Sequence, residues 1–235
     1  MNLLTEGADA LGVPLSEKNE EKFSAYTRLL LEWNKKINLT SVTDEKEIII
    51  KHYLDSLSLG SAVDLKGKTL IDVGTGAGFP GIPLKILRED LAVTLLDSLE
   101  KRVRFLNEVI GCLSLDGIEA IHGRAEDYGV KQEYREKYDY ATARAVAELS
   151  VLCEYCLPFV KPGGLFIAMK GPSAETELQE AGKAISILGG RLEDVKKLVL
   201  PFSDYERTII LIRKCRHTPA GYPRKSGKPT KSPLK

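Results

Sequence analysis

From Thr69 onward the chain alternates short apolar runs with amphipathic stretches, and this alternation restricts the fold more than any other feature of its 235 residues. Strands separated by helix-length segments cannot join as tight hairpins; they need crossovers, and hence a parallel sheet with helices on both faces. TLIDVG (69–74) reads as the first strand, followed by a glycine-rich turn and a helix near 81–88. A strand near 91–96 with Asp97 next, a helix from Ser98, a strand near 118–122 and YDYATA (138–143) continue the series. A helix near 147–157 ends before the turn Lys161-Pro-Gly-Gly164, and LFIAMK (165–170) reads as a buried strand. VKKLVL (195–200) and RTIILIRK (207–214), separated by PFSDYE, have the spacing of a closing antiparallel pair. The expected class is α/β.

Upstream, Phe23, Tyr26, Leu30, Trp33 and Ile37 recur at three- and four-residue spacing. They form one apolar stripe of a long helix over 16–38, with Ser16 as N-cap, and a packing role suits them better than an aromatic ligand box. The chain is long enough for one substantial core. It divides into an N-terminal helical extension over 1–60 packed on that core, the main body over 61–215, and a Pro/Lys-rich tail over 216–235 in which four prolines discourage regular structure. No run approaches the roughly 18 apolar residues that cross a bilayer, and MNLLTEGADA lacks the pattern of a signal peptide, so a cytoplasmic chain is expected; separately, it is expected to be a monomer. Cys153 and Cys156 have CxxC spacing, but further ligands are missing: Cys112 and Cys215 are distant and His52, His122 and His217 are scattered. A helix turn with a packed thiol is expected there, and no metal.

The charge is asymmetric. From Arg213 onward the chain carries eight Lys or Arg residues and no acid, leaving 26 bases against 33 acids in residues 1–212. A basic arm commonly tracks a phosphate backbone, although composition alone leaves a merely solubilising tail equally open. On the helix after Asp97, Lys101, Arg102 and Arg104 oppose the apolar side of Leu99, Val103, Leu106 and Ile110 and read as a solvated face.

The informative segment is Asp72-Val-Gly74-Thr-Gly76-Ala-Gly78-Phe79-Pro80-Gly81, after a strand and before a helix. Glycines there admit positive φ and close ligand approach. Gly76, Gly78 and Gly81 satisfy the dinucleotide pattern, which keeps an NAD-dependent oxidoreductase as a competing reading. Asp72 argues against it: a carboxylate beside the first glycine repels a pyrophosphate and suits the ammonium end of S-adenosylmethionine. Pro80 and Pro83 also remove amide donors that a pyrophosphate would use. Asp97, closing the second strand, stands where an acid can accept both hydroxyls of a cofactor ribose; a simple cap is the alternative, and Ser98 is expected to cap the helix that follows. The loop Gly123-Arg-Ala125-Glu126-Asp127 is placed to bring backbone amides to an adenine edge. Arg144, just past a strand, reaches the crevice at the sheet's carboxyl edge, where it can hold a carboxylate or phosphate or serve as a salt-bridge partner.

DVGTGAGFPGIPLKI, DSLEKRVRFL, GRAED, TARAVA, VKPGG and the ending YPRKSGKPTKSPL, with EWNKKINLTS and KHYLDSL upstream, together resemble the bacterial small-subunit rRNA guanine-N7 methyltransferase family, once called glucose-inhibited division protein B. The likeness runs through nearly the whole chain in order. It implies a Rossmann-like class I methyltransferase with a seven-stranded, mostly parallel sheet. It also implies S-adenosyl-L-methionine as cofactor, with contacts from Gly74, Phe79, the Asp97-Ser98 corner, Ala125-Glu126 and Arg144. The substrate it implies is 16S rRNA in or near the small ribosomal subunit.

Such a reaction asks little of side chains. Guanine N7 carries an in-plane lone pair at neutral pH, so no general base is expected and positioning dominates. His52 and His122 are expected to be structural. Lys170 or Arg144 is a donor toward O6, and the tail, Arg224 and Lys225 included, is expected to hold phosphates while the body alone binds cofactor. Guanine N7 is inaccessible in an RNA helix, so the target must be looped or incompletely folded. A catalytically silent RNA-binding protein is the non-enzyme alternative.

Overall fold

The computed structural model describes residues 3–234. The chain opens with helices α1 (Leu3–Ala10), α2 (Glu17–Ile37) and α3 (Glu45–Ile48). A π-helical stretch, Ile49–Leu54, then runs without a break into α4 (Asp55–Ala62). The remainder alternates: β1 (Thr69–Val73), α5 (Gly81–Leu87), β2 (Ala92–Asp97), α6 (Glu100–Cys112), β3 (Ile118–His122), α7 (Ala125–Tyr128), β4 (Tyr138–Arg144), α8 (Leu149–Cys156), β5 (Val160–Lys170), α9 (Ala174–Ile187), β6 (Gly190–Val199), β7 (Glu206–Lys214) and α10 (Lys228–Lys231).

The seven strands lie in the order β3-β2-β1-β4-β5-β7-β6. β1 to β5 are parallel; β7 runs antiparallel to both β5 and β6, as the PFSDYE spacing leads one to expect. Strand alternation sends neighbouring residues to opposite faces. Leu70 and Leu95 enter a core shared with α2, α4, α5 and α6, while Ile71 and Leu96 enter a second core under α8 and α9. The order reverses beside β1, and that switch point opens the crevice at the carboxyl ends of β1 and β4.

The N-terminal stripe packs as expected, with Phe23, Tyr26 and Leu30 buried. Ser16 caps α2 through a reciprocal capping box with Asn19. Cys153 and Cys156 are free thiols, both buried on α8, and burial pushes both well up. Among the described residues no helix is long and apolar enough to cross a membrane, and no three His, Cys, Asp or Glu side chains are placed to hold a metal ion.

Three local expectations need correction. Lys161–Gly164 is not a turn ahead of the strand: β5 begins at Val160 and carries these residues as a bulge, since Tyr138 pairs with Val160 but Tyr140 with Leu165. α6 begins at Glu100 rather than Ser98, with Leu99 as its N-cap and no side-chain cap; Ser98 does not cap it, and Asp97 Oδ1 accepts the Leu99 N–H just ahead of the helix at 2.9 Å. The tail is no loose arm. It packs Tyr222 and Leu234 against the second core and forms the short helix α10 despite its prolines. Lys235, counted in its charge, lies outside the described residues.

Candidate active site

The turn between β1 and α5 is held by its own acid. Asp72 is fully buried; its Oδ2 accepts the Thr75 hydroxyl at 2.6 Å and the Gly81 N–H at 2.9 Å, while Oδ1 has no hydrogen-bond partner among the described residues. Asp72 therefore occupies the amide at the start of α5, which a dinucleotide pyrophosphate would need. One oxygen of the expected ammonium ligand is thus a structural tie, and the other is left over. Burial raises this carboxyl to about 6, with hydrogen bonds from Thr75 and Gly81 and the Arg144 charge pulling it back.

Asp97, 2% exposed, is engaged on both oxygens: Oδ2 accepts the Gly76 N–H at 2.9 Å and Oδ1 accepts the Leu99 N–H at 2.9 Å. The alternative expected for it, a helix cap, is not realised, since α6 has no side-chain cap; the carboxylate locks the glycine turn to the end of β2 instead. Gly76, at φ +63°, presents that amide from a left-handed backbone. Gly78 is tighter still: at φ +97°, a Cβ would come to 2.5 Å from Ile82 Cδ1.

Two clefts open at this edge, one on either side of the residues that follow β4. The first, about 330 Å³, is lined by Gly74, Ser98, Ala125, Glu126 and, from the tail, Gly227 and Thr230. The second, about 470 Å³, is lined by Lys51, His52, Asp55, Arg144, Lys170 and Arg207 among others. Ala145 lines the second and Val146 the first, the latter so close to Gly74 that a Cβ there would lie 2.8 Å from its Cγ2. The preceding Ala145 is left-handed at φ +55°, strain of the sort that concentrates at functional sites.

Arg144 belongs to the second cleft. Its Nη1 donates to Asp55 Oδ2 at 2.8 Å and to the Lys51 carbonyl at 3.0 Å, and its guanidinium lies 5.1 Å from the centre of the Phe79 ring. Phe79 is buried beneath it, stacked on His52 at 4.6 Å, and does not line the first cleft. Burial and the Arg144 charge push His52 down to about 4, so it is neutral at physiological pH. The π-helical stretch carries His52 to this stack, a use typical of such stretches.

Lys170 is largely occupied, donating to the Ala147 carbonyl and pairing with Glu177, both at 2.6 Å. Arg224 is a clear departure from the exposed phosphate contact expected of it. Its backbone N–H and guanidinium converge on Glu154, 1% exposed, with Nη2 to Oε2 at 2.6 Å. Composition counts such a charge without revealing its buried partner. Lys225 remains exposed.

Sequence reasoning missed Asp55 and Arg207. Asp55, 4% exposed, accepts Arg144 on one oxygen and Arg207 Nε, at 2.9 Å, on the other, gathering the ends of β4 and β7. The available signal was a lone acid inside the apolar run HYLDSLSL. Tyr26, read as packing only, also donates to the Ala77 carbonyl inside the glycine turn.

The region fits S-adenosylmethionine on its own chemistry: Glu126 lines the first cleft, Asp97 is buried at the neighbouring end of β2, and the orphaned, buried Asp72 oxygen at the glycine turn suits an ammonium, although neither aspartate lines the cleft. Fold and site together define a class I, S-adenosylmethionine-dependent methyltransferase. An Aquifex aeolicus SAM-dependent methyltransferase shares the architecture at TM-score 0.54 and 18% identity, covering 74% of this chain and 96% of that one. TYW2 of M. jannaschii, solved with AdoMet, does so at TM-score 0.57 and 13% identity, covering 74% and 79%. The chain belongs to the rRNA small subunit methyltransferase G family, whose sequence pattern matches residues 19–209. Ribosomal RNA small subunit methyltransferase G of Acetivibrio thermocellus is 58% identical over 99% of this chain and 96% of its own length. The protein of that name from Alkaliphilus oremlandii is 52% identical over 100% and 98%.

Proposed function

We propose that this chain methylates N7 of a guanine in 16S rRNA of the small ribosomal subunit or its assembly intermediate, acting as a cytoplasmic monomer. The observation that carries this reading is the pair of clefts that meet at the residues after β4, one lined by Gly74, Ser98 and Glu126, the other by Lys51, Arg144, Lys170 and Arg207. A cofactor and an RNA base could enter from opposite sides and meet at the Arg144–Ala147 segment.

The α7 corner of the first cleft would take the cofactor adenine, while Asp97 and Asp72 Oδ1, both outside the lining of that cleft, would take the ribose and the ammonium as the ligand enters. Bound S-adenosylmethionine supplies a sulfonium methyl that a neutral nitrogen lone pair can accept without prior proton loss. The protein's own task is then to align and to exclude water, a contribution on the order of 7–11 kcal/mol in favourable cases. Neutral His52, with Nε2 at 2.8 Å from the Thr40 hydroxyl, is a packing and orienting group and is not needed as a base.

The second cleft suits a guanine and its neighbours. Arg144 and Arg207, both fixed by Asp55, present donors to a base O6 or a phosphate. Tyr205, 37% exposed, has Lys51 Nζ 4.9 Å and the Arg207 guanidinium 5.9 Å from its ring centre, and Phe202 beside it is 49% exposed. Exposed aromatics interleaved with cations stack single-stranded bases, the only form in which guanine N7 is accessible in RNA.

The test incubates the protein with labelled S-adenosylmethionine and small subunits from cells lacking the activity, then maps the product by N7-specific chain cleavage. Cleavage at one guanine of 16S rRNA is expected. Label on another atom, or none in RNA, overturns the proposal.

A further inference from the structure

The basic tail was expected to serve RNA and to leave cofactor binding to the body. Its path runs elsewhere. After β7 the chain is pinned by Cys215 N–H to the Gly189 carbonyl at 2.8 Å and Thr218 N–H to Glu136 Oε1 at 2.7 Å. Arg135 then collects the carbonyls of Thr218 and Tyr222 at 2.7 and 2.8 Å, and Lys214, fully buried, donates to the Leu157 carbonyl and the Thr218 hydroxyl. These ties deliver Arg224 to Glu154 on α8.

Beyond Arg224 the chain closes on the first cleft. Arg124 Nη1 donates to the Ser226 hydroxyl at 2.7 Å, the Gly227 N–H donates to Glu126 Oε1 at 3.1 Å, and the Thr230 and Tyr155 hydroxyls are 3.0 Å apart. Gly227 and Thr230 line the cleft opposite Gly74 and Ser98. Glu126, expected to serve the cofactor, thus holds the tail as well. The buried Glu154 carboxylate would lose its guanidinium if the segment lifted, leaving an uncompensated buried charge, so the closed position is the native one.

We infer that residues 224–230 are a wall of the cofactor cleft, held by Arg224–Glu154 and Gly227–Glu126, and that S-adenosyl ligands bind fully only with this strap closed. The inference rests on the methyltransferase reading and extends its site to a segment that the glycine turn and strand-end acids do not predict.

Full-length wild-type protein, Thr230→Trp and Arg224→Gln are titrated with S-adenosylhomocysteine by calorimetry, without RNA. Thr230 is exposed, so a Trp there fills the end of the cleft without burdening the core. Affinity is expected to fall about tenfold or more in Thr230→Trp with the ligand-free melting temperature unchanged, and about tenfold in Arg224→Gln. Saturating S-adenosylhomocysteine is also expected to slow tryptic cleavage after Lys225 and Lys231 in the wild type. Wild-type affinity in folded Thr230→Trp, or unchanged cleavage at both lysines on saturation, overturns the strap. Failure of the wild type itself to bind S-adenosylhomocysteine strikes the methyltransferase reading instead. Should Arg224→Gln not fold, Thr230→Trp and the proteolysis decide the matter.

Discussion

Asp72 ties the glycine turn to the start of α5 through one oxygen and, in the proposed function, keeps the other for the cofactor ammonium. With its carboxyl raised to about 6 against an ordinary 3.8, the native state holds a proton between those values that the unfolded chain has released. Stability therefore falls as pH rises through that window. His52 works in the opposite sense: lowered to about 4 from 6.5, it stays neutral where the unfolded chain is protonated, so its contribution rises with pH across a similar range. The two nearly cancel. Asp72→Asn is expected to remove the falling limb and leave a stability that climbs between pH 4 and 6.5, measurable by urea unfolding at successive pH values. The same substitution should lower affinity for S-adenosylhomocysteine about tenfold at pH 8 and abolish a rise in affinity between pH 5 and 7, because only the ionised carboxylate pairs with an ammonium. A stability profile like the wild type's would show that Asp72 does not titrate as described. Asp55 predicts a different split. Asp55→Asn frees Arg144 and Arg207 in the second cleft only, so methyl transfer to small subunits should fall at least about tenfold while S-adenosylhomocysteine affinity stays within about twofold. Equal loss of both would place Asp55 with the cofactor.

At the scale of elements, strands and helices were legible because period-two and three/four patterns are local and strong: β1 to β4 and α2 fall close to where TLIDVG, YDYATA and the Phe23–Ile37 stripe put them. Lys161–Gly164 misled because Pro-Gly-Gly is also turn chemistry; only the pairing of Val160 with Tyr138, set by a neighbouring strand, shows that the strand has begun. The π-helical stretch carries no local signal at all. Acids at strand ends were legible as candidates, whereas their partners were not, since Gly76 and Asp97 meet only after the sheet forms. The clamp from α2 onto the glycine turn illustrates the consequence. Tyr26 crosses 51 positions to reach the Ala77 carbonyl, and its hydroxyl would also meet a Cβ at Gly78 at 2.7 Å. Tyr26→Phe leaves that buried carbonyl without its donor and is expected to cost about 1–3 kcal/mol in chemical unfolding. It should also weaken S-adenosylhomocysteine binding, because the turn loses its support. Gly78→Ala, which adds a left-handed penalty to the clash with Ile82, should cost more than Tyr26→Phe; a smaller cost would mean that the turn relaxes freely.

Over the whole molecule, the boundaries that composition suggests near 60 and 216 mark changes of pattern, and the packing runs across both. The basic tail illustrates why: its charge is visible in any count, but Glu126, Glu136 and Glu154, which receive it, lie scattered through the acidic body. The N-terminal helices are as closely bound. Phe23, Tyr26, Leu30, Ile48, Tyr53 and Leu57 share one core with Leu70, Ile82, Leu95, Ile167 and Ile209, so the first 60 residues, together with α5 and α6, cover one face of the sheet. Removing them would expose a contiguous apolar surface far larger than a soluble monomer tolerates and would strip Arg144 and Arg207 of Asp55. A chain starting at residue 61 is therefore expected to show no cooperative thermal transition and to bind no S-adenosylhomocysteine, whereas the full chain should unfold in one transition followed alike by tryptophan fluorescence and far-ultraviolet circular dichroism. Trp33 reports on α2 and the circular dichroism on the sheet and all the helices, so two separated transitions in the full chain would reveal an N-terminal unit that folds by itself. Coincidence of the two would mean that the cleft, its glycine turn held from α2 by Tyr26 and its α7 corner from the tail through Glu126, forms only when the entire chain does.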